Sequence, residues 1–169
     1  MIETVYIGLG SNLGDREEFL SAAIARLEKV PGLEVIAISS LYITHPQDME
    51  PGSPPFLNQV IKAEYAFAPQ DLLEAMETIE EDLGRTDKGA KLPRTIDLDL
   101  LLFGTQQIKS GGLTVPHPRL RKRPFVLVPL LQIDSDLVYP GTGKPLSSYL
   151  TGEGRNSVRI YKEHVAREV

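Results

Sequence analysis

The sequence predicts an α+β fold in which an antiparallel sheet carries helices packed on it. Three observations lead there. Apolar residues alternate, or run together, in four short stretches and recur at helical spacing in two others. These stretches follow one another as β-α-β-β-α-β, the ferredoxin-like split order, with C-terminal additions behind it. Proline and glycine mark the boundaries between them. At 169 residues the chain suits one domain, 1–169, large enough to bury a core.

Residues 3–9 read as the first strand. Gly8, Gly10 and Gly14 then surround Ser11-Asn12 as a turn into a helix. Asp15 is placed to cap that helix, and Glu18 completes an approximate capping box. Phe19, Leu20, Ala23, Ile24 and Leu27 predict a helix over 16–29, stopped by Pro31-Gly32. Leu33 to Tyr42 is rich in β-formers and reads as the second strand. Residues 45–55 hold four prolines and a glycine, which forbids regular structure and suits a binding loop. Phe56 to Phe67 is the third strand. Pro69 fits the first turn of a second helix with the stripe Leu72, Leu73, Met76, Ile79 and Leu83, closed by Gly84. A basic loop over 85–94 precedes the fourth strand, whose core is Ile96 to Phe103. Gly111-Gly112 and Pro116 punctuate a hairpin over about 105–116. Phe125 to Ile133 reads as a short helix broken by Pro129, and the chain from Asp134 is turn-rich.

The net charge of −5 conceals an asymmetry: residues 1–84 carry −11 and residues 85–169 carry +6. The basic half is where an anionic ligand would be held. The small excess and mixed signs exclude a general nucleic-acid binder. No apolar run has the length of a membrane span, and no signal peptide is visible, so a cytoplasmic protein without membrane contact is expected. The chain has no cysteine, which removes disulfides, thiolate metal sites and cysteine nucleophiles.

The fourth strand holds the strongest chemical signal. Asp97 and Asp99 are two residues apart, so they project from one face, with Ile96, Leu98, Leu100 and Leu102 on the other and Leu101 and Phe103 continuing the carboxylate face. Two anions on an apolar strand repel and resist desolvation, and a divalent cation relieves both costs. The alternative is a pair of surface carboxylates at a solvated edge. Arg85, Arg94, His117, Arg119, Arg121 and Arg123 lie on either side of this strand in sequence, and arginine's planar fork suits phosphate oxygens. Asn58 sits inside a strand, where asparagine is disfavoured; its amide suits reading a heterocycle edge, and a bulge or sheet edge is the alternative. The glycines at 8, 10 and 14 match neither a dinucleotide fingerprint nor a Walker loop. Residue chemistry alone leaves three readings: a metal-dependent phosphoryl-type transferase, another Asp-x-Asp nucleotide transferase, or a non-catalytic ferredoxin-like binding module.

The motifs resemble one family, the 6-hydroxymethyl-7,8-dihydropterin pyrophosphokinases of folate biosynthesis. The resemblance rests on Gly10-Ser11-Asn12-Leu13-Gly14-Asp15, Ser40-Leu41-Tyr42-Ile43-Thr44, Phe56-Leu57-Asn58, Glu80 and Gly84-Arg85. It continues through Pro93-Arg94-Thr95-Ile96-Asp97-Leu98-Asp99-Leu100, Leu113-Thr114-Val115-Pro116-His117-Pro118-Arg119 and Arg123-Pro124-Phe125. It implies transfer of pyrophosphate from ATP to the pterin's hydroxymethyl oxygen, with release of AMP. It implies Asp97 and Asp99 as holders of two Mg²⁺ ions. It implies Arg85, Arg94, His117 and Arg123 on the phosphates, and Thr44, Phe56, Asn58 and Phe125 around the pterin, with the two rings sandwiching it. Leu73, Leu100 and Thr114 would lie near the nucleotide. The loops at 45–55 and 85–94 would close over the substrates, and a stand-alone monomeric enzyme is expected. Phe56 stands where a tyrosine is common, Lys91 where an aromatic is, and Asp87 and Gly112 where some members carry arginine.

Overall fold

The computed structural model describes residues 2–44, 52, 54–84 and 95–163. Most of the loop at 45–55 and all of 85–94 lie outside the described residues, and with them the expectations placed on Arg85, Asp87, Lys91 and Arg94.

The described chain runs β1 (Glu3–Ser11), α1 (Arg16–Leu27), β2 (Leu33–Ile38), β3 (Leu41–Thr44), β4 (Phe56–Tyr65), α2 (Pro69–Asp82), β5 (Asp97–Phe103), β6 (Ile108–Ser110), β7 (Leu113–Val115), α3 (Pro124–Ile133), α4 (Gly152–Asn156) and β8 (Arg159–Lys162). A six-stranded sheet orders as β5-β1-β4-β3-β8, with β2 also paired to β4. Every pairing in it is antiparallel. The expected helix–strand alternation is therefore present, and the turn-rich C-terminal segment adds a strand to it.

Two apolar layers hold the sheet. On one face Val5, Ile7, Leu9, Leu57, Ile61 and Leu98 pack against Leu20, Ala23 and Leu27 of α1 and Leu72, Met76 and Ile79 of α2. On the other, Tyr6, Val60, Leu101 and Leu102 pack against Val126, Leu127 and Leu130 of α3 and against Leu120 and Leu146. Burying both faces removes apolar surface from water at roughly 25 cal/mol per Å², the main term favouring the fold.

Four expectations change. The first strand runs on to Ser11, so Gly8 and Gly10 lie inside it and not in a turn. The predicted second strand is two strands, because the chain leaves the ladder at Ser39-Ser40. There the buried Ser39 side chain accepts from Val60 N (2.9 Å), and Gln59 Nε2 donates to Ser39 O (3.0 Å), so side chains complete what the ladder leaves open. Pro129 does not break α3, which continues through it; a proline removes one N–H, and packing on the sheet outweighs that loss here. On β5, pairing with β1 shifts register: Ile7 faces Leu100 while Tyr6 faces Leu102. Leu101 is the extra residue of a bulge, which reverses the alternation after it. Leu102 thus joins the α3 layer and Phe103 the α1/α2 layer, the reverse of a regular strand.

The capping expectation holds in its first half: Asp15 Oδ1 accepts from Glu18 N at 3.2 Å. The hairpin of β6 and β7 forms as expected, its turn made by Gly111 and Gly112 at φ 60° and 78°, a left-handed conformation that disfavours a side chain.

Candidate active site

One end of the α3 face of the sheet gathers most of the singled-out residues. The cross-strand register sets them side by side. Asp97 of β5 faces Gly10 of β1, Gly10 faces Asn58 of β4, and Asn58 faces Tyr42 of β3. The neighbouring row reads Asp99, Gly8, Val60. Thr44 and Phe56 pair at the open end. Strands lie about 4.8 Å apart, so Asp97 and Asn58 are separated by roughly 10 Å of backbone. Between them the strand carries glycine. A Cβ at Gly10 would stand 3.3 Å from Asn58 Oδ1 and 3.6 Å from Phe56 Cδ1. The floor between carboxylates and amide is kept open by the missing side chain.

Asn58 is neither at an edge nor in a bulge; it is buried in an interior strand and donates through Nδ2 to Thr44 Oγ1 at 2.8 Å. That bond orients the amide, and its Oδ1 is the atom nearest the space above Gly10. Phe56 is half-buried beside it. Phe125 is half-buried at the start of α3, the helix that covers this face.

The anionic side centres on Asp99. Its Oδ1 lies 3.7 Å from His117 Nε2 and its Oδ2 3.7 Å from Arg123 Nη1. His117 Nδ1 accepts the backbone N–H of Arg119 at 3.1 Å, so in neutral imidazole the proton sits on Nε2, toward the carboxylate. His117 N also donates to Leu101 O at 3.0 Å, fixing the segment against the bulge of β5. The Arg123 guanidinium stands 5.5 Å over the Phe125 ring, so it spans the carboxylate and aromatic zones. Arg121 turns elsewhere and stacks on Tyr139 at 4.5 Å and Tyr149 at 5.8 Å. Among the described residues no group of three His, Asp or Glu side chains forms a complete metal cage.

Leu73 and Leu100 are not on this face. Both pack in the α1/α2 layer, and Leu100 is buried. Thr114 is exposed on β7 and lines a hollow of about 370 Å³ with Lys109 and Tyr139. The structure thus brings together Asp97, Asp99, His117 and Arg123, and beside them Thr44, Phe56, Asn58 and Phe125. The three residues expected near the nucleotide stand apart from that row.

Comparison with known proteins matches this arrangement to one family. The family model for 7,8-dihydro-6-hydroxymethylpterin-pyrophosphokinase (HPPK) matches residues 6–135. The chain belongs to this family. It is 44% identical over 163 residues to the 2-amino-4-hydroxy-6-hydroxymethyldihydropteridine pyrophosphokinase of Bacillus subtilis, covering 96% of this chain and 93% of that protein. It is 44% identical over 147 residues to the folic acid synthesis protein fol1 of Pneumocystis carinii, covering 87% of this chain. The chain spans 20% of the length of that relative. A crystal structure titled for HPPK-DHPS in complex with substrates superposes with a TM-score of 0.73 at 11% identity, over 94% of this chain and 46% of that one, a likeness of fold.

Several contributors to the site are given no role by the sequence, although Gly10, Asn12 and Glu80 lie in its family motifs. Gly8 and Gly10 are legible only once Tyr6, Gly8 and Gly10 are seen to share a strand face. Asn12, fully buried, donates to Pro54 O (3.2 Å), and Arg16 donates to Pro55 O (2.8 Å), tying the start of α1 to the chain that leads into Phe56. Glu80 of α2, also buried, accepts from Leu98 N at 2.8 Å, between the two aspartates of β5. No helix among the described residues is long and apolar enough to cross a membrane.

Proposed function

We propose that this chain transfers the pyrophosphoryl group of ATP to the hydroxymethyl oxygen of 6-hydroxymethyl-7,8-dihydropterin, releasing AMP. Membership of the family and the relatives' names support the reaction. The row Asp97–Gly10–Asn58–Tyr42 is the observation that carries it to particular residues. It sets an anion-handling zone and an amide-and-aromatic zone about two strand spacings apart on an open floor. A triphosphate and a planar heterocycle would meet there in line.

In this reading Asn58, oriented by Thr44, pairs with the pterin's polar edge, and Phe56 and Phe125 stack on its faces. The hydroxymethyl oxygen attacks the β-phosphorus, and the bond from that phosphorus to the α,β-bridging oxygen breaks, leaving AMP. Arg123 and His117 balance charge on the phosphates, as would Arg85 and Arg94. Asp97 and Asp99 fit Mg²⁺: both are hard oxygen donors on one strand face, and the described protein groups leave coordination positions for phosphate oxygens and water. When bound, two such ions would neutralise triphosphate charge and make the alcohol a better nucleophile. In the same reading the nucleotide runs from that row past the edge of the sheet at β5, where Leu100, Leu73 of α2 and Thr114 of β7 would flank it, and the core is the ferredoxin-like plan with its second strand split. This reading takes residues 1–169 as one pyrophosphokinase domain acting as a monomer in the cytoplasm.

The deciding experiment mixes the purified protein with ATP, Mg²⁺ and 6-hydroxymethyl-7,8-dihydropterin and separates the nucleotides by anion exchange. AMP formed only when pterin is present is the expected result. ADP, or no turnover by folded protein, would overturn the proposal.

A further inference from the structure

The helix that carries Arg123 and Phe125 over the site is held differently on its two sides. Along its length its contacts with β1, β4 and β5 are apolar, Val126, Leu127 and Leu130 packing with Tyr6, Val60, Leu101 and Leu102, and at its C-terminal cap Asp134 accepts from the Tyr6 hydroxyl and pairs with Lys62 at 2.8 Å. Toward β3, Gln132 supplies hydrogen bonds. Gln132 Oε1 accepts both from Ser40 N (2.9 Å) and from the Tyr42 hydroxyl (2.8 Å), and Gln132 Nε2 donates to Ser40 Oγ (2.9 Å). Ser40 lies in the break between β2 and β3, and its N–H turns to the helix. Apolar packing is non-directional and tolerates sliding, whereas three hydrogen bonds to one amide fix a distance and an angle.

The position of these bonds ties the pieces of the pterin pocket together. Gln132 follows Phe125 by seven residues, so both lie on one side of α3 about 10 Å apart along the axis. Tyr42 is the cross-strand partner of Asn58, and Thr44, which orients that amide, is two residues further along the same strand. The amide therefore links the helix bearing one ring to the strands bearing Asn58, Thr44 and Phe56.

We infer that Gln132 is a positioning residue for the pterin pocket: its bonds to Ser40 and Tyr42 set the spacing between Phe125 on α3 and Phe56 and Asn58 on β4. The inference rests on the pterin reading above and names a residue that touches no substrate. Losing the tie lets α3 shift against β3, which widens the ring-stacking gap and leaves Asp97 and Asp99 on β5 where they are.

The test is pterin binding by fluorescence quenching, with Mg²⁺ and a non-hydrolysable ATP analogue present, beside binding of that analogue alone. Gln132→Ala should weaken pterin binding about tenfold, the scale of a lost, partly buried hydrogen-bond set, and leave the analogue's affinity within about twofold. Gln132→Glu keeps both acceptor bonds and should return pterin affinity to within about threefold of the parent. If Gln132→Ala does not fold, Tyr42→Phe decides in its place, since it removes one bond and keeps the ring. Unchanged pterin affinity in the folded variant, or equal weakening of both ligands, would overturn the inference. A parent protein that fails to bind the pterin would instead remove the pterin reading, and this proposal with it.

Discussion

Asp97 and Asp99 sit on β5 with side chains toward the α3 face, and the two glycines opposite them on β1 determine what can approach. Asp99 stands near both His117 and Arg123, so its carboxylate lies in a field already partly balanced by neighbouring donors. The pair's proposed task is met by charge, and that sets the expected phenotype. Asp97→Ala and Asp99→Ala should each lower AMP formation by roughly a hundredfold or more, the scale seen when a charge-stabilising group is removed. Pterin affinity measured by fluorescence should stay near that of the parent, because Asn58, Thr44 and the two rings are untouched. Near-normal turnover of either variant at saturating Mg²⁺ would remove the metal assignment.

At the scale of elements, β5 is an edge strand whose middle is anchored from outside the sheet. Glu80 reaches from α2 to accept from the N–H of Leu98 at 2.8 Å, tying the middle of β5 to the helix layer. The bulge at Leu101 then turns the strand's end so that Phe103 enters the helix layer and meets Tyr65 edge-on at 6.3 Å. Asp99 lies between these two fixed points and Asp97 beside the first, so the aspartates have little freedom to shift. Glu80→Ala should therefore destabilise the fold by about 1 kcal/mol or more, the scale of one lost buried hydrogen bond to the backbone. It should also slow AMP formation in the protein that remains folded. Urea unfolding together with the turnover assay checks both; unchanged stability would show that β5 is held in some other way.

The whole molecule is a sheet enclosed on both faces, and its buried phenols report on that enclosure. Burial raises the pKa of Tyr6 above its ordinary 10.0, and the carboxylate of Asp134, to which its hydroxyl donates, raises it further. Burial raises Tyr42 likewise, and Tyr65 with a further push from Asp71. The sign follows from proton binding. Above pH 10 the unfolded chain releases phenolic protons that the folded chain still holds, so stability is complete below that pH and falls as pH rises toward the folded values. Denaturation midpoints taken from pH 8 to 11 should decline, and Tyr6→Phe should flatten the decline. An equal slope in that variant would exclude Tyr6 as a source.

Much of this was legible in the chain because it depends on local rules. Strand and helix order follow from apolar periodicity, the hairpin turn from Gly111-Gly112, and the capping of α1 from Asp15. The shared face of Asp97 and Asp99 follows from the two-residue repeat of a strand. What misled was also local: the bulge at Leu101, the break at Ser39-Ser40, and the continuation of α3 through Pro129 are each decided by partners distant in sequence. The same holds for the site. Sequence by itself determined which chemical groups are present and which neighbours share a face. Only the tertiary structure decided that Gly10 would stand between Asp97 and Asn58, that Leu102 would turn to the α3 layer, and that Gln132 would reach Ser40 and Tyr42. Register across strands is set by packing of the whole sheet between its helix layers, and a periodic pattern read along one strand carries no information about which residue lies beside it on the next.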